Sequence, residues 1–141
     1  MMSAAPHQAT GVAIAGRGVL IEGAPGCGKS SLALMLIDRG AVLIGDDGVL
    51  LDQRGDALWA RPHPATAAML EVRNVGLLRY PCSPARIALV IALDEAAPRF
   101  IEGPEQTRRE GTTLPLIRLW PHAAALALRA EAALRVHGAP F

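Results

Sequence analysis

The chain has 141 residues, of which 51% are hydrophobic, 19% are charged and 4% are aromatic, and its formal net charge is +1. This length suits one domain with a real core, so we expect a single domain over residues 1–141, with residues 1–6 disordered. The near-zero charge, the lack of a basic run and the few aromatic side chains exclude a typical nucleic-acid-binding surface. We see no signal peptide, and the longest apolar run, residues 87–93, is too short to span a membrane. We therefore expect a cytoplasmic protein with no membrane partner.

The first predicted elements form a β-hairpin followed by a helix. Residues 7–14 alternate weakly in polarity and predict an edge strand, and Gly16 and Gly18 turn the chain back into an apolar strand over residues 19–22. A helix of strong helix formers begins near Lys29 and ends with the cation and glycine cap of Arg39 and Gly40. The strand and the helix are joined by a glycine-rich loop, which consists of Gly23, Ala24, Pro25, Gly26, Cys27, Gly28, Lys29 and Ser30.

This loop fits the phosphate-binding pattern G-x-x-x-x-G-K-[ST] at every fixed position, between a strand and a helix as the pattern requires. Its glycines let the backbone N–H groups wrap round a polyphosphate at the positive end of the helix. Lys29 would reach the β- and γ-phosphates, and the Ser30 hydroxyl would ligate Mg²⁺. Lys29 is also the single lysine among 14 basic residues, at the place where a compact ammonium fits better than a guanidinium. We therefore predict a nucleotide site here.

Two adjacent carboxylates, Asp46 and Asp47, end the next predicted strand, residues 41–45. A strand that follows such a helix returns parallel to the first strand, so its carboxyl end should open at the same edge of the sheet as the phosphate loop. Neighbouring residues of a strand point to opposite sides, which favours separate tasks for the two acids. One would hold Mg²⁺ or its water, and the other would accept a proton from an attacking hydroxyl. The alternative is a solvated Asp-Asp-Gly turn.

The middle of the chain predicts a hairpin over residues 49–60, a short helical turn over residues 65–70 and then a stretch that carries Glu71 and Arg73. If this stretch is extended, Glu71 and Arg73 point the same way. An acid and a guanidinium on one face suit a metal ion and a phosphate, or simply a surface ion pair. Residues 86–93 predict a central strand that ends at Asp94, which competes with Asp46 for the role of the Walker B carboxylate.

The last third predicts a mobile loop, an edge strand and a closing helix. Residues 96–113 are polar and broken by glycines and prolines, and an arginine there could reach a transferring phosphoryl group. Residues 114–119 predict the edge strand and residues 121–137 the helix, whose packed face we assign to Leu126, Arg129, Ala133 and Leu134. Together the elements predict an α/β fold: a P-loop-containing single domain with a mixed sheet, flanking helices and an N-terminal β-hairpin.

Four stretches of the sequence resemble a known family when taken in order. They are residues 16–21, the glycine-rich loop, residues 38–47 and residues 71–76, whose sequence Glu-Val-Arg-Asn-Val-Gly looks like the signature E-[LV]-R-G-[LVI]-G. These motifs resemble the kinase domain of bacterial HPr kinase/phosphorylase, especially its short single-domain form. The resemblance covers roughly residues 8–80, and the combination of motifs is far more specific than the phosphate loop alone.

The resemblance implies ATP- and Mg²⁺-dependent phosphorylation of a serine on the phosphocarrier protein HPr, which regulates the phosphotransferase system, and in the family also the reverse phosphorolysis. Lys29 would stabilise the transferring phosphate, and Ser30 with Glu71 would hold Mg²⁺. Asp47 would accept the proton of the serine, and Asp46 would support the metal or its water. Arg73 would neutralise charge on the phosphates. The resemblance leaves a homo-oligomer open, because longer members of the family are hexamers.

The chain departs from the family pattern at several positions. Gln8 stands where the family has a histidine, with His7 beside it, and Asn74 replaces the first glycine of the signature. The later catalytic arginine of the family has no clear counterpart, although Arg108 and Arg109 are candidates. Two other functions therefore stay open. One is a P-loop kinase that acts on a small molecule, and the other is a nucleotide-sensing regulatory module without turnover.

Overall fold

The structure, a computed structural model, describes residues 4–141 and contains eleven strands and two helices in that range. The first six strands are β1 (Ala5–His7), β2 (Thr10–Ile14), β3 (Arg17–Glu22), β4 (Val42–Gly45), β5 (Val49–Arg54) and β6 (Ala57–Pro62). The remaining strands are β7 (Met69–Val72), β8 (Gly76–Arg79), β9 (Ala85–Leu93), β10 (Glu105–Arg109) and β11 (Thr112–Leu119). The helices are α1 (Lys29–Asp38) and α2 (Leu126–His137).

Nine strands form one curled, mixed sheet, in which β1, β5, β6, β9, β3, β2 and β4 follow one another and β11 joins β9 and β10. Strands β3 and β11 both run parallel to β9, whereas β2 runs antiparallel to both β3 and β4. Strand β4 therefore runs in the same direction as β3, with β2 between them. Strands β7 and β8 form a separate hairpin.

Strand β9 is the centre of the core because it is apolar and buried on both faces, as in the strands of covered parallel sheets. On one face, Leu89 and Ile91 pack with Ile21 and with the buried sides of both helices. On the other face, Leu20 and Val90 belong to a second core that the curled strands close over. The mixed sheet, the helices and the antiparallel β2–β3 hairpin confirm the predicted α/β class. In the described part of the chain, no helix is long and apolar enough to cross a membrane.

Two predictions about the N-terminal region are wrong. The disorder expected for residues 1–6 does not hold for Ala5 and Pro6, which pair with β5 in strand β1, while residues 1–3 lie outside the described range. The strand predicted over residues 7–14 is two strands, because a turn in which the Ala9 N–H donates to the His7 carbonyl interrupts it. Its second half, β2, is not an edge strand, since it pairs with β3 on one side and β4 on the other.

Three predictions further along the chain are also corrected. Residues 65–68 form a non-helical turn and residues 69–70 begin β7, because Ala68 adopts a left-handed φ of 62° that a right-handed helix does not allow. Within the supposed loop over residues 96–113, Glu105–Arg109 form the edge strand β10, so β11 lies between β10 and β9 and is no edge. Helix α2 begins at Leu126, and Arg129 points to solvent instead of packing; its buried side is Leu126, Ala127, Ala130, Ala133 and Leu134.

Candidate functional site

The glycine-rich loop joins the end of β3 to the first residue of α1, as the sequence predicts. Gly26 and Gly28 have φ values of 79° and 105°, a left-handed conformation that glycine adopts without strain. A side chain at Gly23 would meet the Cys27 sulfur at 2.5 Å, so the loop closes tightly where it leaves the strand. The Lys29 Nζ donates to the carbonyl oxygens of Gly23 at 2.9 Å and Ala24 at 3.3 Å. The ammonium therefore lies folded across the loop.

Asp46 lies at the centre of a hydrogen-bond network below the loop. Its side chain accepts hydrogen bonds from the Ser30 hydroxyl at 2.6 Å, the Thr10 hydroxyl at 3.1 Å and the Glu71 backbone N–H at 3.0 Å. The residue is only 8% exposed, so these donors compensate the loss of water around its carboxylate. The three donors come from β2, α1 and β7, and Asp46 thereby holds the edges of the cleft together.

Asp94, the competing carboxylate, has different partners. It accepts a hydrogen bond from the Ala96 N–H at 2.8 Å and from Arg118 at 3.1 Å. Hydrogen bonding to the Ala96 N–H, together with Arg118, lowers the pKa of Asp94 below its usual value. Asp46 contacts the predicted metal ligand Ser30, and Asp94 does not line the cleft. The geometry thus favours Asp46 for the Walker B position.

Asp47 is exposed and lines the same cleft, but no side chain or backbone group within residues 4–141 donates a hydrogen bond to its carboxylate. Its backbone has a left-handed φ of 56°, which is uncommon outside glycine and which aspartate tolerates better than most residues. The conformation is fixed because the Asp47 N–H donates to the Thr10 hydroxyl at 3.2 Å. A strained backbone with a free carboxylate in a cleft is a typical arrangement for a reacting group.

Glu71 and Arg73 reach the cleft from the β7–β8 hairpin. Glu71 is in β7, and Arg73 is in the turn that follows. The turn places Asn74 at a φ of 71°, and asparagine is one of the few residues besides glycine that adopt this conformation readily. Asn74 can therefore replace the glycine of the family signature without changing the turn.

The cleft has a volume of about 190 Å³ and brings together residues from four separate parts of the sequence. Its lining consists of Gln8, Pro25, Gly26, Gly28, Lys29, Ser30, Ser31, Asp46, Asp47, Glu71 and Arg73. Of the predicted loop residues, Gly23, Ala24 and Cys27 support the loop from outside this lining. Carboxylate and hydroxyl oxygens and part of the glycine-rich loop therefore line one small cleft together with one ammonium and one guanidinium.

The donor set suits a magnesium ion bound together with phosphates. No group of three or more His, Cys, Asp or Glu side chains within residues 4–141 is arranged as a metal cage. Mg²⁺ is usually held by one or two carboxylates or hydroxyls, with waters and substrate phosphates completing its six ligands. Because the Ser30 hydroxyl donates its hydrogen to Asp46, the lone pairs of its oxygen remain available to a metal ion.

The candidates for the missing histidine and arginine of the family lie in two places. Gln8 lines the cleft, whereas His7 points away from it and donates to Glu22 at 2.7 Å. Arg109 forms a two-pronged ion pair with Glu22, with N···O distances of 2.6 and 3.0 Å, and Arg108 bonds to the Gly111 carbonyl. The structure therefore brings neither Arg108 nor Arg109 into the cleft. The same contacts affect Glu22: burial alone would raise the pKa of this carboxyl, but the hydrogen bonds from His7 and Arg109 lower it to about 2.

Sequence reasoning missed Thr10 and Glu22. Thr10 is fully buried and connects Asp46 to the backbone of Asp47 through one hydroxyl. The signal was available, because a threonine at the start of an otherwise apolar strand has to find a hydrogen-bond partner when it is buried. Glu22 gave a similar signal as an acid at the end of the apolar strand that enters the loop.

Comparisons with known proteins identify the family that the chain is similar to. A family described as the HPr serine kinase C-terminal domain matches residues 2–81. The HPr kinase/phosphorylase of Streptococcus thermophilus is 35% identical over 122 residues, which cover 77% of this chain and 40% of that protein. The HPr kinase/phosphorylase of Mycoplasmopsis pulmonis is 42% identical over 67 residues, 48% of this chain and 22% of that protein. The chain thus spans less than half the length of these relatives.

A solved structure is similar over nearly the whole chain. The HPr(Ser) kinase/phosphatase from Coxiella burnetii has a TM-score of 0.82 and 26% sequence identity, and the match covers 93% of this chain and 94% of that chain. The similarity therefore extends well beyond residue 81, to the elements that follow the family match.

Proposed function

The chain belongs to the HPr serine kinase C-terminal domain family, and we propose that it transfers the γ-phosphate of ATP to a serine of an HPr-like phosphocarrier protein. The observation that carries this proposal is the pairing of two acids with different environments. Asp46 is buried and hydrogen-bonded to Ser30, and Asp47 beside it is exposed with a free carboxylate. A protein that only binds nucleotide needs the first acid, whereas phosphoryl transfer to a hydroxyl also uses the second.

In this proposal the loop residues 23–30 bind the phosphates of ATP, and Ser30, Glu71 and Asp46 hold Mg²⁺ directly or through water. Mg²⁺, when bound, neutralises charge on the phosphate oxygens. When ATP binds, the Lys29 ammonium gives up its hydrogen bonds to the Gly23 and Ala24 carbonyls and donates to the phosphate oxygens instead. Arg73 adds a second positive charge beside the loop, where a side chain at Gly26 would lie 4.0 Å from its Nη2, and fixed charges of this kind supply much of the catalysis in phosphoryl transfer.

Asp47 accepts the proton of the serine hydroxyl as that oxygen attacks the γ-phosphorus. The Thr10 hydrogen bond holds the backbone of Asp47 in place, so the carboxylate needs little rearrangement before the reaction. In the reverse direction the protonated Asp47 would return the proton to the leaving serine oxygen as inorganic phosphate attacks. The reaction regulates the phosphotransferase system and belongs in the cytoplasm, where ATP and the phosphocarrier are found. A homo-oligomer stays a prediction, and nucleic acid and membranes have no part in the proposal.

The experiment that tests the proposal measures transfer of labelled γ-phosphate from Mg-ATP to purified HPr. Wild type is compared with Asp47→Asn and Lys29→Ala, and ATP binding is measured on the same samples. Asparagine is the suitable replacement because it also tolerates the left-handed φ of Asp47. We expect Asp47→Asn to lose about 10²- to 10⁴-fold in transfer and to keep ATP binding, as the loss of a general base predicts. Adding inorganic phosphate to phosphoserine-HPr tests the reverse reaction in the same assay.

Asp56→Asn is the matched control, because Asp56 is an exposed acid in the β5–β6 turn and does not line the cleft. If ATP binds but HPr is not labelled under conditions where a full-length relative works, the kinase proposal fails and the nucleotide-sensing function replaces it. ATP turnover without any protein acceptor would instead indicate a kinase for a small molecule.

A further inference from the structure

A second cavity, of about 540 Å³, lies between residues 97–101, the end of β11 and the second half of α2. It shares no lining residue with the phosphate cleft, and nothing in the proposed kinase reaction uses it. Its volume is within the range of about 300–1,000 Å³ that is typical of small-molecule sites in proteins. We call this cavity the α2 groove.

The walls of the α2 groove are mainly apolar and reach the surface. Trp120 is 44% exposed, Val136 66% and Ile101 36%, and all three line the groove together with Ile117, Leu119 and Ala133. Phe100, next to Ile101, is 80% exposed. Single exposed apolar side chains are ordinary, but several that converge on one concave surface indicate a binding site.

Three arginines line the α2 groove. They are Arg99, Arg118 and Arg129, and no aspartate or glutamate contributes to the lining. Arg118 is paired with two carboxylates, those of Asp94 and Glu105, which do not line the groove. By contrast, neither Arg99 nor Arg129 forms an ion pair with any residue in the range 4–141, and both are exposed. The groove therefore offers two uncompensated guanidinium groups beside an apolar wall.

We propose that the α2 groove binds a small amphiphilic anion, which has an apolar or aromatic body and a carboxylate, sulfonate or phosphate group. The body would pack against Trp120 and Val136, and the anionic group would be bound by Arg99 and Arg129. A guanidinium recognises all three anionic groups through paired hydrogen bonds. A purely apolar ligand would leave both arginines without a partner, and a cationic one would be repelled. This inference does not depend on the proposed kinase function.

The test uses two fluorescent probes that differ in charge. 1-Anilinonaphthalene-8-sulfonate carries the sulfonate, and N-phenyl-1-naphthylamine is its uncharged counterpart. Each probe is titrated into the full chain at neutral pH and is followed by energy transfer from tryptophan, compared between variants that lack Trp120, which lies in the groove, or Trp59, which lies in β6. We expect saturable binding of the anionic probe that saturating Mg-ADP does not displace, with energy transfer that falls more in Trp120→Phe than in Trp59→Phe.

The charge is tested with the double variant Arg99→Ser/Arg129→Ser. We expect its affinity for the anionic probe to fall about three- to thirtyfold, while its affinity for the uncharged probe stays within about twofold of wild type. The matched control is Arg79→Ser/Arg135→Ser, which removes two exposed arginines outside the groove and lowers the net charge equally. Val136→Asp should weaken both probes.

The proposal is overturned if the anionic probe does not bind, if Mg-ADP displaces it, or if both double variants weaken it equally. Equal binding of the two probes would overturn the anionic part as well. Near-UV circular dichroism of each variant shows that the core is intact, since partly unfolded chains also bind the anionic probe. Because Trp120→Phe leaves every charge in place, its energy-transfer result stands even if an arginine variant fails to fold.

Discussion

The hydroxyl of Thr10 connects the two acids of the cleft. It donates to the Asp46 carboxylate and accepts from the Asp47 N–H, and it has no contact with solvent. A single side chain thus couples the buried acid to the backbone of the exposed one.

Replacing Thr10 by valine keeps the size of the side chain and removes this link. We expect Thr10→Val to lower the free energy of unfolding by about 1–3 kcal/mol, because the Asp47 N–H loses its partner. Transfer to HPr should fall more than ATP affinity does, since Asp47 is no longer held in place. Urea denaturation and steady-state kinetics measure the two effects. Thr113→Val, at an exposed position of β11, is the control and should change neither.

The left-handed turn at Asn74 leads to a second prediction. Asn74→Gly should leave stability unchanged or raise it slightly, because glycine adopts a φ of 71° freely. Asn74→Val should lower the free energy of unfolding by about 1–2 kcal/mol, since a β-branched residue is strained in this conformation. Thermal unfolding of the two variants measures the difference. Equal melting temperatures would show that the turn rearranges.

At the scale of elements, Glu22 joins three strands. It is the last residue of β3, His7 binds it from β1, and Arg109 binds it from β10. The Glu22 and Arg109 side chains are only 18% and 21% exposed, so this ion pair is screened less than a surface pair. It ties the edge hairpin β10–β11 to the strand that enters the phosphate loop.

This arrangement predicts a pH-dependent stability. The pKa of Glu22 is about 2 in the folded chain and near its ordinary value of 4.5 when unfolded, so the unfolded chain binds the proton more tightly. The stabilisation, about 3 kcal/mol, is therefore complete above pH 4.5 and is lost as the pH falls towards 2. Urea denaturation between pH 2 and 6 should show a shallower pH dependence for Glu22→Gln than for wild type.

Other carboxylates also titrate in this range, so the informative quantity is the difference between wild type and variant. Glu131→Gln is the matched control, because Glu131 pairs with Arg39 at a more exposed site and such pairs contribute little. Identical pH profiles for wild type and Glu22→Gln would mean that Glu22 is not the group that links β1, β3 and β10.

The elements that carry the site residues could largely be predicted from the sequence, whereas strand β10 could not. The strand, loop and helix from β3 to α1 follow from local patterns, and so does the carboxyl end of β4. Strand β10 was missed because its residues, Glu-Gln-Thr-Arg-Arg, are polar on both sides and mostly exposed. Its pairing with β11 is local, through the turn at Glu110 and Gly111, but the ion pair of Arg109 with Glu22 joins residues 87 positions apart. No local sequence pattern indicates that ion pair.

At the scale of the whole molecule, the cleft lies at the edge where segments from both cores meet. The loop continues from β3, whose side chains alternate between the two cores, and Asp46 follows β4. A ligand that binds loop, helix and hairpin together should therefore stabilise the entire fold, because its site disappears on unfolding.

We expect Mg-ADP at about 100 times its dissociation constant to raise the free energy of unfolding by about 2.7 kcal/mol. Lys29→Ala should lose most of this increase at the same ligand concentration and retain the stability of the ligand-free chain, since Lys29 bonds only to loop carbonyls within the described residues. Thermal unfolding with and without Mg-ADP measures both. An equal increase in the two proteins would place the nucleotide elsewhere.

The position of Lys29 in the loop also allows occupancy of the cleft to be probed by chemical modification. Because the sequence contains no other lysine, an amine-acylating reagent has two targets in the chain, the α-amino group and the ammonium that rests on the Gly23 and Ala24 carbonyls. The acylated fraction of the peptide that contains residue 29 then measures the fraction of clefts without a bound ligand, and the α-amino group serves as an internal standard. Occupancy of the site could be followed in a crude mixture without a labelled nucleotide.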